Sequence, residues 1–390
     1  MSPLVVIFLT VFIDLLGFGI IIPLLPFYAE AFGASAFVVG MLSTSFSVAQ
    51  FLFAPMWGRL SDRIGRRPVI LIGLAGSCLS YLIFGLAHSL AVLFIARTAA
   101  GIAGANIPTA QAYMADITTP ENRAKGMGLV GAAFGLGFIF GPAIGGFLSQ
   151  WGYAMPAFFA SGLSLVNLVA AWILLPESRT VRNGQGPRLS RVAALRAALT
   201  RPHLPQVLLV YFVIVAAFSA FEATFALYAE RRFAFDARTI GYVFAFVGVV
   251  LSIVQGLLVG RTVRLVREQR LVPGAILVIA VGMGMYPFVH SVPLLFVATG
   301  ILSIGMGFNS PTITALISKL SSADDQGGIL GVSQSLASLA RIAGPAWGGF
   351  VFDRYGPGAP FASSAGLLLV AFALAAVTLA HTTIPGQVRR

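Results

Sequence analysis

Long apolar runs, each about 20 residues and separated by short loops that hold most of the charge, leave this chain few ways to fold. They fall at roughly 4–27, 37–57, 68–88, 91–113, 124–148, 155–175, 206–229, 238–260, 272–290, 292–315, 327–351 and 360–380. About 20 apolar residues in a helix cross a hydrocarbon core of about 30 Å. In lipid the backbone must satisfy its own hydrogen bonds, and the runs lack the alternation of barrel strands, so each reads as a helix. Composition agrees: of 390 residues, 58% are hydrophobic and only 10% charged, too few polar groups to cover a water-soluble fold of this size. The expected class is an all-α integral membrane protein of about twelve spans. The first run, Leu4 to Leu25, is longer than a signal-peptide core and has no basic leader, so it is expected to stay as the first span.

The charge is unevenly placed. Taking the N-terminus as inside, the inner loops collect Arg59, Arg63, Arg66, Arg67, Arg123, Lys125, the arginines from Arg179 to Arg201 and those from Arg261 to Arg270. The outer loops hold only Arg231, Arg232, Arg238 and Arg354. Basic loops face the cytoplasm, which predicts a multi-pass protein of a cell inner (plasma) membrane with both termini cytoplasmic. The net charge of +12 is then a match for anionic headgroups of the lipid bilayer, and no nucleic-acid partner is expected. The one cysteine, Cys78, lies in an apolar run, which rules out a disulfide framework. No cluster has metal-ligand spacing and no glycine-rich loop ends in the Lys-Ser/Thr of a nucleotide site. No metal, no cofactor and no enzymatic chemistry are expected, so the energy for any transport comes from a gradient.

The polar stretch 176–205 carries Asn183-Gly184-Gln185-Gly186-Pro187 among arginines and reads as a basic cytoplasmic linker. It divides the chain into six-helix halves at 1–175 and 206–390. The halves repeat: Gly104-Ala105-Asn106-Ile107-Pro108-Thr109 is echoed by Gly307-Phe308-Asn309-Ser310-Pro311-Thr312, and Gly141-Pro142-Ala143-Ile144-Gly145-Gly146 by Gly344-Pro345-Ala346-Trp347-Gly348-Gly349, at one common offset. Two parallel six-span repeats around a midplane site are a transporter plan.

The charged island Gly58-Arg59-Leu60-Ser61-Asp62-Arg63-Ile64-Gly65-Arg66-Arg67 resembles the loop 2–3 signature of the major facilitator superfamily. Leu93 through Arg97 to Gly101 and Gly104 is similar to its fourth-span arginine motif. Gly131, Gly135, Gly141-Pro142 and Gly145-Gly146 resemble the fifth-span motif of its proton-coupled antiporters. Asp14-Leu15-Leu16-Gly17-Phe18-Gly19 with Pro23-Leu24-Leu25-Pro26 is similar to the first span of twelve-span drug:proton antiporters, particularly the tetracycline-efflux class and its tetracycline-transporter-like relatives. The resemblance implies the major facilitator fold and a conformational lock of Gly58, Asp62, Arg66 and Asp116, with Asp62 near the N-terminus of the eleventh helix and Arg66 engaging Asp116. One departure stands out: that class carries acids in its third and ninth spans, where this chain has none.

On the residues themselves, the island glycines permit a tight turn, and its arginines either pair with neighbouring charges or only enforce topology. The small residues Gly135, Gly141, Gly145 and Gly344, with Pro142 and Pro345, let helices approach closely and bend. A charge facing lipid costs about 2.5 kcal/mol or more near a helix centre, which singles out Asp14, Glu222, Arg97 and Arg341. A buried carboxylate gains proton affinity on desolvation and loses it beside an arginine, so moving the arginine switches the proton. The expected proton-coupling set pairs Asp14 with Arg97 and Glu222 with Arg341 in at least one conformation; a packing hydrogen bond for Asp14 and a lipid-facing stripe for Glu222 are the alternatives.

Tyr211, Phe218, Ser219 and Phe225 share the Glu222 face, as a cavity for an amphipathic or cationic ligand requires. Gln50, Asn106, Gln111, Gln255, Asn309 and Gln334 are amides at membrane depth, either lining the same cavity or joining helices. The resulting expectation is a monomeric secondary transporter, a proton-coupled antiporter exporting small amphipathic or cationic molecules by alternating access. A proton symporter or facilitator for a metabolite or lipid is the alternative.

Overall fold

The computed structural model describes residues 3–105, 107–119, 122–178, 191–321 and 326–380, and among them it is helical throughout with no strand. In order, the helices are α1 (Pro3–Ile21), α2 (Leu25–Glu30), α3 (Ala36–Ile64), α4 (Arg66–Gly85), α5 (Leu90–Gly104), α6 (Ile107–Asp116), α7 (Arg123–Leu148) and α8 (Ala154–Leu174). After them come α9 (Arg191–Thr200), α10 (Leu204–Phe233), α11 (Ala237–Ile253), α12 (Val259–Leu265), α13 (Glu268–Met285), α14 (Val292–Lys319), α15 (Gln326–Tyr355) and α16 (Ala359–Ala380). Eleven helical segments among the described residues are long and apolar enough to cross a membrane. The remaining expected span, 327–351, lies in α15, a helix of 30 residues whose apolar character is diluted by Ser333, Gln334, Ser335, Ser338 and Arg341.

Proline and serine set several boundaries. The first apolar run breaks after Ile21, because Pro23 has no N–H to continue the helix, and Pro26 is tolerated in the first turn of α2. Ser89 and Ser291 cap α5 and α14 by accepting from the amides of Val92 and Leu294. A π-turn at Val254–Leu258 joins α11 to α12. Within the expected linker, the described residues 191–200 form α9, while 179–190 lie outside the described residues.

Contacts group the chain into two compact units, Met1–Asn183 with Glu222–Gly248, and Gly184–Phe221 with Val249–Arg390. These units follow packing rather than the boundaries of the sequence repeat. In the first, α1 packs on α7 and α8, α4 on α5 and α8, and α3 on α5. Glycines make the α1–α7 approach possible: a Cβ on Gly141 would lie 2.7 Å from Gly19 Cα. A core of Val6, Val11, Leu15, Ile70, Leu74 and Tyr113 fills the same unit. Asn167 ties α8 to α1 by donating to the Thr10 carbonyl at 2.9 Å. In the second unit α13 packs on α14 and α16. Tyr286 stacks on Phe361 at 4.6 Å and shares a hydrogen bond with Thr299 at 2.8 Å. Gly344 packs tightly there on the backbone of Ala216 and Ala220.

Candidate functional site

Polar side chains inside the first unit converge from α1, α3, α4 and α5. Asp14 of α1 accepts a hydrogen bond from Ser77 of α4 at 3.0 Å. It lines a crevice of about 20 Å³ with Thr10, Ile70, Leu74, Ile107 and Val130, room for about one water molecule. One helical turn beyond Ser77, Tyr81 lies near both Asp14 and Arg97. Its ring lies where a side chain on Gly17 would go, with the nearest carbon 3.0 Å from that Cβ position. Ser77 and Tyr81 were not expected as site residues; their i,i+4 spacing on the third span, facing the acid of the first, is the signal that could have found them.

Arg97 of α5 is 6% exposed. Its guanidinium lies over the Phe46 ring, 4.5 Å from the centroid, and its Nε has no hydrogen-bond partner. No ion pair joins it to Asp14 in this conformation; Asp14 is held by a neutral hydroxyl instead. Gly101 explains the closeness of Phe46: a Cβ there would collide with the Phe46 carbonyl and lie 2.9 Å from Ala49 Cβ. Phe18 of α1 approaches Phe46 at 5.3 Å and Phe138 of α7 at 6.4 Å, so the three rings form one connected aromatic cluster.

Gln50 donates to the Gly104 carbonyl at 3.2 Å. Pro108, four residues further on, has no N–H for that carbonyl, and the α5–α6 break follows. Asn106, expected in the same motif, lies outside the described residues. Its counterpart Asn309 is 2% exposed with Oδ1 unpartnered, but the helix there, α14, runs on through Pro311. Gln111 is half-buried, whereas Gln255, within the π-turn, and Gln334 are exposed on the protein surface.

Glu222, Phe218, Ser219, Tyr211 and Phe225 all lie on α10. Ser219 is 5% exposed, and Phe225, fully buried, packs edge-on against Phe244 at 5.5 Å, so both sit in packed core here. Phe218 stacks on Phe221 at 5.9 Å. In the second unit Arg341 of α15 donates to Ser338 at 3.4 Å and lies near Tyr211.

The island departs from expectation in one detail. Gly58 makes no turn: it lies inside α3, and a Cβ there would meet nothing within 4 Å. A single residue, Gly65, turns the chain from α3 into α4 at φ 103°, a conformation that glycine alone adopts readily. Arg66 joins Asp62 at 2.7 Å, Asp116 at 3.2 Å and Ser61 at 2.6 Å. Glu177, which sequence reasoning passed over, accepts the backbone amides of Arg66 and Arg67 at 2.9 and 3.1 Å. A carboxylate on the free amides at a helix N-terminus is favourable both by hydrogen bonding and by the helix dipole. The repeat has a charge-reversed counterpart: the offset that separates Gly104 from Gly307 also separates Asp116 from Lys319, and Lys319 bonds Glu268 at the start of α13.

At the opposite end of the first unit, Glu30 of α2 meets Arg231 at 3.6 Å. Burial and the neighbouring carboxylate of Glu230 push the Glu30 carboxyl up to about 7, against a smaller lowering by Arg231. Nearby, hydrogen bonds from Thr239 hold the Asp236 carboxyl below its usual range. Among the described residues no group of three His, Cys, Asp or Glu could hold a metal ion.

Comparison with known proteins places this geometry in context. The sequence profile of the Major Facilitator Superfamily matches residues 7–291 and 270–389. The chain is 31% identical to multidrug resistance protein 2 of Bacillus subtilis, covering 88% of this chain and 87% of the relative. It is 32% identical to the class E tetracycline resistance protein of Escherichia coli, covering 88% and 86%. The crystal structure of the human organic anion transporter MFSD10 (TETRAN) superposes with a TM-score of 0.72 at 29% identity, covering 95% of this chain and 98% of that one.

Proposed function

This chain belongs to the Major Facilitator Superfamily, and on that premise we propose that it is a proton-coupled antiporter exporting small amphipathic compounds by alternating access. It is a multi-pass membrane transporter and not an enzyme. The carrying observation is Asp14: a carboxylate inside a spanning helix, bonded among the described residues to a hydroxyl at 3.0 Å and opening on a water-sized crevice. A carboxylate so placed exchanges its proton through a single water, and its affinity changes when a cation approaches or leaves. Arg97, which like Asp14 lies near Tyr81, is that cation in the first repeat; Glu222 and Arg341 are the acid and the base of the second.

In this reading the transporter works as a monomer in a cell inner membrane with both termini cytoplasmic, its repeats are the six-helix halves 1–175 and 206–390, and the Arg66–Asp62–Asp116 network locks its inner side. Kinship with multidrug and tetracycline resistance proteins supports export. A second reading, movement of an organic anion by symport or facilitated diffusion, is favoured by the likeness to the human organic anion transporter.

The test is gradient-driven movement of fluorescent amphipathic cations, anions and neutral compounds in proteoliposomes, for wild type, Asp14→Asn and Glu222→Gln. Coupled export predicts movement that needs the pH gradient and is lost in one or both variants. Equal movement without a gradient, indifferent to both substitutions, returns both acids to packing roles and leaves facilitated diffusion.

A further inference from the structure

Arg97 is a buried cation of the first unit that meets no counter-anion among the described residues. It is 6% exposed, makes no ion pair or hydrogen bond among the described residues, and leaves Nε unpartnered. Burying a charge at membrane depth is costly unless something compensates it. Among the described residues the compensation in place is the Phe46 face at 4.5 Å. A ring quadrupole returns less than a buried ion loses on leaving water. Asp14, the acid expected to pair with it, is engaged by Ser77 at 3.0 Å.

The surroundings have a direction. From Phe46 the aromatic surface continues to Phe18 at 5.3 Å and Phe138 at 6.4 Å, and all three rings are half-buried rather than locked in core. A guanidinium offers a planar fork that matches a carboxylate or sulfonate. The Tyr81 hydroxyl, on the side toward Gly17, supplies a further donor.

We infer that Arg97, with Phe46 and Phe18, is the docking point for an amphipathic organic anion, whose carboxylate or sulfonate meets the guanidinium and whose flat apolar body lies along the rings. This rests on reading the chain as a transporter of small amphipathic compounds and narrows their class. It also gives Arg97 an occupation when it is not paired with Asp14: the ligand anion takes the position that a carboxylate of the chain leaves vacant.

The test is equilibrium binding to the purified full chain in detergent at pH 7, without any gradient. Three probes share one ring system: 2-naphthoate, neutral 2-naphthamide and 2-naphthylmethylammonium. A charge-assisted pair in a desolvated site predicts that naphthoate binds about 10- to 100-fold more tightly than the amide. Arg97→Gln erases that ratio, Arg97→Lys keeps part of it because a point charge remains without the fork, and Phe46→Ala weakens all three probes alike. Equal affinity of naphthoate and amide in wild type, absence of saturable naphthoate binding, or a ratio that survives Arg97→Gln overturns the proposal. The wild-type ratio decides even where a variant does not fold. A protein that binds naphthoate selectively yet shows no gradient-driven movement retires the coupling reading and keeps this one.

Discussion

The contact between α1 and α7 offers a sharp quantitative test, because it is backbone against backbone. In Gly141→Ala the new Cβ would lie 2.7 Å from Gly19 Cα, 2.8 Å from Gly19 C and 3.0 Å from Ile20 N, against the 3.4 Å at which ordinary contact begins. No side chain can rotate away, so the helices must separate locally by about 0.7 Å, and a gap of that order forfeits a quarter to a half of the dispersion energy of the atoms it parts. Overpacking of this kind costs about 1–3 kcal/mol. At about 2–4 °C per kcal/mol for a cooperative unit near 200 residues, the melting temperature should fall by about 2–12 °C. The matched control is Gly131→Ala on the same helix, whose Cβ meets nothing within 4 Å. Alanine is the better helix former by about 1 kcal/mol, so the control should melt at or slightly above wild type. The assay is thermal denaturation of the detergent-purified protein followed by size-exclusion fluorescence. If Gly141→Ala melts at or above wild type, the close α1–α7 approach is not what stabilises this unit.

Two further outcomes follow from polar contacts. Glu177→Ala removes the acceptor of the Arg66 and Arg67 amides; its exposure limits the cost to about 1 kcal/mol, read as faster hydrogen exchange at those two amides, with Glu177→Gln intermediate. Unchanged protection in the alanine variant would show that α4 starts without it. Glu30, with its carboxyl raised to about 7 from the ordinary 4.5, binds a proton more tightly in the folded protein than in the unfolded chain. Its contribution is therefore present below about pH 4.5 and lost as pH rises through 7, on the order of 1 kcal/mol after solvent screening. The wild type should melt lower at pH 8 than at pH 5.5, and Glu30→Gln should flatten that slope; a slope that persists in the variant assigns it to another group.

Much of this protein was written in its sequence because the solvent is lipid. Apolar runs of about 20 residues have one backbone solution in a bilayer, so the helices, their order and the repeat could be read directly. The same constraint makes a charge in a span conspicuous, which is why Asp14, Arg97, Glu222 and Arg341 stand out, and the glycines at 141, 145 and 344 announce close packing by their spacing. Partners were another matter. Whether Asp14 meets Arg97 or Ser77 depends on how α1, α4 and α5 are rotated about their axes, and apolar all-round helices carry little pattern to fix that rotation. Tyr81, Ser77 and Glu177 are ordinary residues in sequence and acquire meaning only from what faces them. Gly58 and Gly65 looked alike in the island, yet only Gly65 turns the chain at a φ of 103°. The sequence thus determined which groups lie at membrane depth; the tertiary structure decided that Arg97 meets an aromatic face and, among the described residues, no carboxylate, because charge pairing is settled by distances of a few ångströms that helix packing alone sets.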